Sequence, residues 1–149
     1  MSVYRLFDTG LLSISKATTE TVNNSTALQN DDDFTFNLEP NAVYTLDLHI
    51  DLITPAAADF KFDFNVPTGA TIRGFHDSID SATPAVLRVS VSDYEVDQVF
   101  TGTDTDYSIH IYARVTTDPT PGSCTFRWAQ NTSDAGNTQI IAGSFMRVV

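Results

Sequence analysis

Apolar and polar residues alternate with a period of two through most of this chain. The cleanest case is residues 44–52, where Tyr44, Leu46, Leu48, Ile50 and Leu52 share one face and Thr45, Asp47, His49 and Asp51 the other. Successive side chains of a strand point to opposite sides, so this segment predicts a half-buried β-strand. Phe34, Phe36 and Leu38 alternate with Thr35 and Asn37 and stop at Pro40-Asn41. Phe60, Phe62, Phe64 and Val66 alternate with Lys61, Asp63 and Asn65 and stop at Pro67-Thr68-Gly69. Both read as strands closed by turns. Looser alternation continues through residues 70–75, 85–91, 94–100, 107–115 and 123–129, with breaks at 77–84, 101–106 and 118–122. No helical period appears in this region. Eight or nine short strands bounded by turn residues predict an all-β, two-sheet antiparallel sandwich. An immunoglobulin-like sandwich and a jelly roll both fit the pattern, although the paired cysteines and intervening tryptophan of antibody-like domains are absent.

The two ends of the chain depart from simple alternation. After Thr138, Ile140, Ala142, Ser144, Met146 and Val148 fall on one face of an extended run, and Ile141, Gly143, Phe145, Arg147 and Val149 on the other. Both faces are largely apolar, which predicts a strand covered on both sides, by its own sandwich or by another subunit. Ile141, Phe145, Arg147 and Val149 are therefore candidate oligomer-interface residues. At the other end, residues 3–14 read as two extended pieces around Asp8-Thr9-Gly10, and residues 15–30 form a polar Ser/Thr/Asn stretch. A helix over 17–28 is disfavoured by side chains that compete for backbone hydrogen bonds and by the lack of an apolar stripe. Residues 1–30 are expected to form an arm and linker outside a sandwich domain spanning 31–149. Its apolar residues, among them Tyr4, Leu6, Phe7, Leu11 and Leu12, have no obvious place in a two-sheet core. Addition of residues 3–7 to the sandwich as an edge strand is the competing expectation.

With 149 residues the chain is long enough for one self-sufficient core. Its formal charge of −11, with only two lysines, argues against nucleic acid as a partner, because such binding neutralises phosphates. The first residues show no signal-peptide pattern and no apolar run is long enough for a membrane span, so a soluble protein made in the cytoplasm is expected. The lone Cys124 is expected to pack as a small apolar residue.

Candidate chemistry is sparse. Asp47, His49 and Asp51 project from one strand face, but side chains two apart on a strand are separated by nearly 7 Å, so a shared ion needs a ligand from a neighbouring strand. A solvated polar face is the simpler reading. Asp31-Asp32-Asp33 and Asp104-Thr105-Asp106 lack the spacing of a calcium loop and are expected to form turns. His49 and His110 occupy polar-face positions, which allows a pH-sensitive contact. Trp128 shares a face with Cys124 and Phe126, a core pattern. No nucleophile elbow, metalloprotease motif or phosphate loop is present. The expectation is a protein that is not an enzyme, with no cofactor and no metal.

One resemblance gives these features a context. Residues 126–134, FRWAQNTSD, and 141–148, IAGSFMRV, together with 28–36, LQNDDDFTF, 44–48, YTLDL, and 59–70, DFKFDFNVPTGA, resemble a family of tailed-bacteriophage virion proteins ending in a WAQNTSD segment and a final Ala-Gly-Ser-aromatic strand. The resemblance implies a jelly roll similar in layout to trimeric tumour necrosis factor-like heads. It further implies a homotrimeric capsid decoration, cement or small head-fibre protein, located in the virion after assembly in the host cytoplasm. The major capsid protein or another virion protein is the implied partner, with Tyr4, Leu6, Phe7, Leu11 and Leu12 as the attachment arm. A receptor- or glycan-binding module of the tail fibre or baseplate, contacting a host surface glycan, is the alternative.

Overall fold

The computed structural model describes the backbone of residues 2–5, 10–79 and 86–149 and the side chains of 10–77 and 88–149. Thirteen strands are present among the described residues: β1 (Ser2–Arg5), β2 (Leu12–Ser15), β3 (Glu20–Val22), β4 (Gln29–Leu38), β5 (Val43–Ile53), β6 (Phe60–Asn65), β7 (Thr71–Ile79), β8 (Val86–Val91), β9 (Gln98–Phe100), β10 (Tyr107–Thr116), β11 (Gly122–Gln130), β12 (Thr138–Ile140) and β13 (Phe145–Val148). They form two antiparallel sheets packed as a jelly-roll-like sandwich. The larger sheet runs β1-β2-β13-β5-β10-β7-β8, with β12 pairing β5 and β3 beside it; the smaller runs β4-β11-β6-β9.

The two sheets supply different materials to the core. The smaller contributes rings: Phe34, Phe36, Phe60, Phe62, Phe64, Phe100, Phe126 and Trp128. The larger contributes mainly aliphatic groups from β5 (Leu46, Leu48, Ile50, Leu52) and β10 (Ile109, Ile111, Ala113, Val115), with Ile72, Met146 and Val148. Ring edges and faces interlock within the aromatic layer, as where Phe62 stacks on Phe100 at 5.4 Å and Phe64 meets Phe126 edge-on at 5.2 Å. Cys124 is buried there and packs as expected, its thiol pushed above its ordinary value by burial.

Two expectations need correction. Residues from Leu12 onward do not stand apart as a linker. Strand β2 lies between β1 and β13, β3 pairs β12, and Ile14 and Val22 belong to the core. Backbone pairing tolerates the Ser/Thr-rich composition, and a buried ion network fastens the segment. Lys16 Nζ lies 2.8 Å from Asp31 and 2.7 Å from Glu20, and Asp31 also accepts the indole N–H of Trp128 at 3.2 Å. Burial works against the Lys16 charge, yet Asp31 and Glu20 outweigh it and hold its pKa above the ordinary value.

The C-terminal run is likewise not one strand. It is split by a turn in which Ser144 N–H donates to the Ile141 carbonyl at 3.2 Å, with Gly143 at φ +99°. That conformation at the third turn position favours glycine. Ser144 is buried, its hydroxyl donating to the Ile141 carbonyl and accepting from Asp51 N–H. The apparent double apolar face therefore dissolves: Met146 and Val148 point into the core, and Phe145 and Arg147 point out.

Candidate functional site

The outward side of the larger sheet carries a contiguous set of chemically capable side chains. Register places Phe145 (β13), His49 (β5), His110 (β10) and Asp77 (β7) directly opposite one another in one row across four strands, continuing to Arg88 on β8. The adjacent row holds Arg147, Asp47, Tyr112, Phe75 and Ser90. Directly opposed residues on neighbouring strands come within side-chain contact, so both rows become continuous.

The rings in these rows stack. Phe145 lies 4.7 Å from His49, His49 lies 4.3 Å from His110, and Phe75 lies 5.3 Å from Tyr112, each pair within about 20° of parallel. Guanidinium groups cap the ends, with Arg147 over Phe145 at 5.1 Å and Arg88 over Phe75 at 4.2 Å. Asp77 is clasped in bidentate fashion by Arg88, at 2.8 and 3.0 Å, and this hydrogen-bonded cation holds its carboxyl below the ordinary value. Asp47 Oδ1 lies 2.6 Å from His110 Nε2 and 3.3 Å from His49 Nε2. Asp51, on the same strand face, bonds instead to the Ser108 hydroxyl. His110 thus takes the place beside Asp47 and His49 that the sequence pattern gave to Asp51, and these three are residues that could hold a metal.

Of the proposed interface residues, Phe145 and Arg147 come together in this face. Val149, 59 % exposed, follows on the same side beside Thr45, and Ile141 sits apart in the turn, bonded through its N–H to Asp51. Of the proposed attachment residues, Leu11 and Leu12 are half-buried and Leu12 packs against the core. Leu6 and Phe7 lie outside the described residues, and Tyr4 is placed only by its backbone in edge strand β1.

The other candidates are structural. The Asp31-Asp32-Asp33 triplet, expected as a turn, lies inside strand β4; Asp31 Oδ1 accepts from the N–H groups of Asp33 and Phe34 at 3.0 Å where the β4–β11 register shifts. Asp104 braces a loop by accepting from Ala56 N–H. His76 points inward against Phe62, Phe100 and Tyr94, and burial lowers its pKa. In the WAQNTSD segment Trp128 and Gln130 are buried. Gln130 donates to the Gly136 carbonyl and accepts from Asp134 N–H, so its amide clamps the loop joining β11 to β12. Two sequence signals pointed toward the outer cluster, Asp47 and His49 on one strand face and the polar-face position of His110; the register that brings them together was missing.

Comparison of the chain with protein-family models, curated proteins and solved structures finds no match.

Proposed function

We propose that this protein is a non-enzymatic contact module of a tailed-bacteriophage virion, a homotrimer that decorates or cements the capsid or forms a small head fibre. The virion role rests on the resemblance of its ordered sequence segments. The observation that carries the contact role is the pair of adjacent outer stacks, Phe145-His49-His110 in one row and Phe75-Tyr112 in the next, a strip of partly covered rings on the outward face of the larger sheet. Aromatic and arginine side chains are the types that dominate binding energy at protein contacts, and here Arg147 and Arg88 border the strip.

The strip also favours one alternative. Tyr112, 38 % exposed and stacked on Phe75, offers a flat ring of the kind that packs against a sugar, which suits a glycan-binding module at the tail.

Sedimentation tests the contact role. The wild-type chain should run as a trimer at micromolar concentration, and Phe145→Asp should run as a folded monomer, because Phe145 lies outside the core. A wild-type monomer overturns the trimer. Labelled antibody then tests position: signal over the head supports the decoration role, and signal confined to the tail tip replaces it with the glycan-binding reading. Cleavage of host surface polysaccharide by the purified chain would overturn the non-enzymatic assignment.

A further inference from the structure

We propose that Asp47, His49 and His110 form a binding site for one divalent transition-metal ion of the Zn²⁺ class. The site belongs to the folded chain by itself and does not depend on the contact proposed above. One donor atom from each of the three residues lies within 4.8 Å of the other two, and the Nε2 atoms of both histidines approach Asp47 Oδ1. Around a tetrahedral ion with bonds of about 2.0–2.1 Å, ligand atoms sit roughly 3.3 Å apart. The Asp47–His49 separation of 3.3 Å already matches, and the 2.6 Å contact between His110 and Asp47 has to open by less than an ångström.

Both Nε2 atoms face the same carboxylate oxygen. Without an ion that oxygen accepts from the Nε2–H tautomers; a cation taking the place of those protons engages a lone pair from each of the three groups. Two imidazoles and a carboxylate suit a borderline metal such as Zn²⁺, and a chain of charge −11 does not repel it.

Stacking of His49 between Phe145 and His110 keeps the two imidazoles adjacent, and one ring has to tilt out of the stack to bring both in-plane Nε2 lone pairs onto one ion. His110 turns its other nitrogen, Nδ1, toward Asp77 Oδ2 at 3.7 Å, and Asp77 is fixed by the two bonds from Arg88. A ligating histidine commonly presents its second ring N–H to a carboxylate, which sets its tautomer and orientation. Asp77 is the positioning residue of this site. The side chains of Asp47, His49 and His110 are 36, 43 and 31 % exposed, so an ion reaches them from solvent and keeps an outward position for water or a further ligand.

The test uses the tag-free chain, stripped with a chelator and titrated with Zn²⁺ by calorimetry near neutral pH, with Co²⁺ as a spectroscopic probe. One ion per chain should bind, and Co²⁺ should give the intense visible bands of a four-coordinate site. His49→Ala and His110→Ala should each weaken binding by more than the roughly 10–100-fold that loss of an outer partner costs, Asp77→Asn should weaken it within that range, and His76→Phe should leave it unchanged. In the wild-type chain Zn²⁺ should shift the imidazole NMR resonances of His49 and His110 and leave those of His76 in place, a readout that requires no variant to fold. Absence of binding at about 100 μM Zn²⁺, far above the range of a three-ligand protein site, overturns the proposal. Wild-type affinity in both histidine variants, or resonance shifts confined to other residues, does the same.

Discussion

On the outside of the four-stranded sheet, charge is closed into pairs. Arg127 clasps the buried Asp63 in bidentate fashion, Lys61 meets Asp97 at 3.4 Å, and the Thr35 and Thr125 hydroxyls bond to each other at 2.9 Å. On the outside of the nine-stranded sheet, Arg73 and Arg114 stand directly opposite each other, both exposed, and neither forms an ion pair among the described residues. Four of the six arginines, Arg73, Arg88, Arg114 and Arg147, project from this side of a strongly acidic chain. The larger sheet also pairs some of its outward charges, Arg88 with Asp77 and His110 with Asp47, but it leaves Arg73 and Arg114 without a counter-ion among the described residues and presents stacked rings beside them. In two faces built on the same alternation, the difference lies in how completely the charges are paired across the strands.

The largest disruption should come from the seam between the sheets. Lys16→Met leaves Asp31 buried without its cation and should cost about 3–5 kcal/mol in urea unfolding; a loss below about 1 kcal/mol would mean that Asp31 is readily rehydrated. On the closed face, Arg127→Leu should cost about 3 kcal/mol for the same reason, and Asp63→Leu in the same chain should recover most of it, which a double-mutant cycle measures. Failure of the second change to rescue the first would show that the pair does not act as a unit.

His76 gives a smaller effect, visible only against pH. Burial places its folded pKa below the ordinary 6.5, with Asp77 pulling weakly the other way. The unfolded chain therefore takes up a proton where the folded chain does not. The associated stability is fully present above about 6.5 and declines as the pH falls from there toward the folded value. Unfolding free energies measured from neutral to mildly acidic pH should fall less steeply in His76→Phe than in the wild-type chain. On the open face, Arg73→Ala and Arg114→Ala should each change stability by no more than about 0.5 kcal/mol, with relief of like-charge opposition favouring a slight gain. A large loss from either would place a hidden partner on that face.

The fold was legible where alternation was strong. The outer and inner sets of residues 44–52 and 107–115 appear in β5 and β10 as the pattern predicts, and the three phenylalanines of β6 point into one core. Legibility failed where long-range partners decide the conformation. Lys16 looks like a solvated lysine until Asp31 and Trp128 arrive around it. The isolated Gly143 was a turn signal inside an apolar run, but the strength of the pattern on either side outweighed it. Tyr94, read as part of a strand, is a buried turn residue that caps the aromatic layer, with β9 starting only at Gln98. In the outer cluster His49 and His110 are separated by most of the central sequence, and only strand register makes them neighbours.

Strand β13, late in chain order, lies in the interior of its sheet, hydrogen-bonded to β2 on one side and β5 on the other. During synthesis at the ribosome, β2 emerges early and can pair β1, but its other edge stays unpaired until residues 145–148 follow. Until that moment the nascent larger sheet is open between β2 and β5, and the phenylalanine layer opposite it is incompletely covered. Such dependence on a distant segment makes folding slow and exposes apolar surface while it is awaited. Production of this protein should therefore respond to growth temperature and to chaperone supply during translation more than the stability of the finished sandwich would suggest.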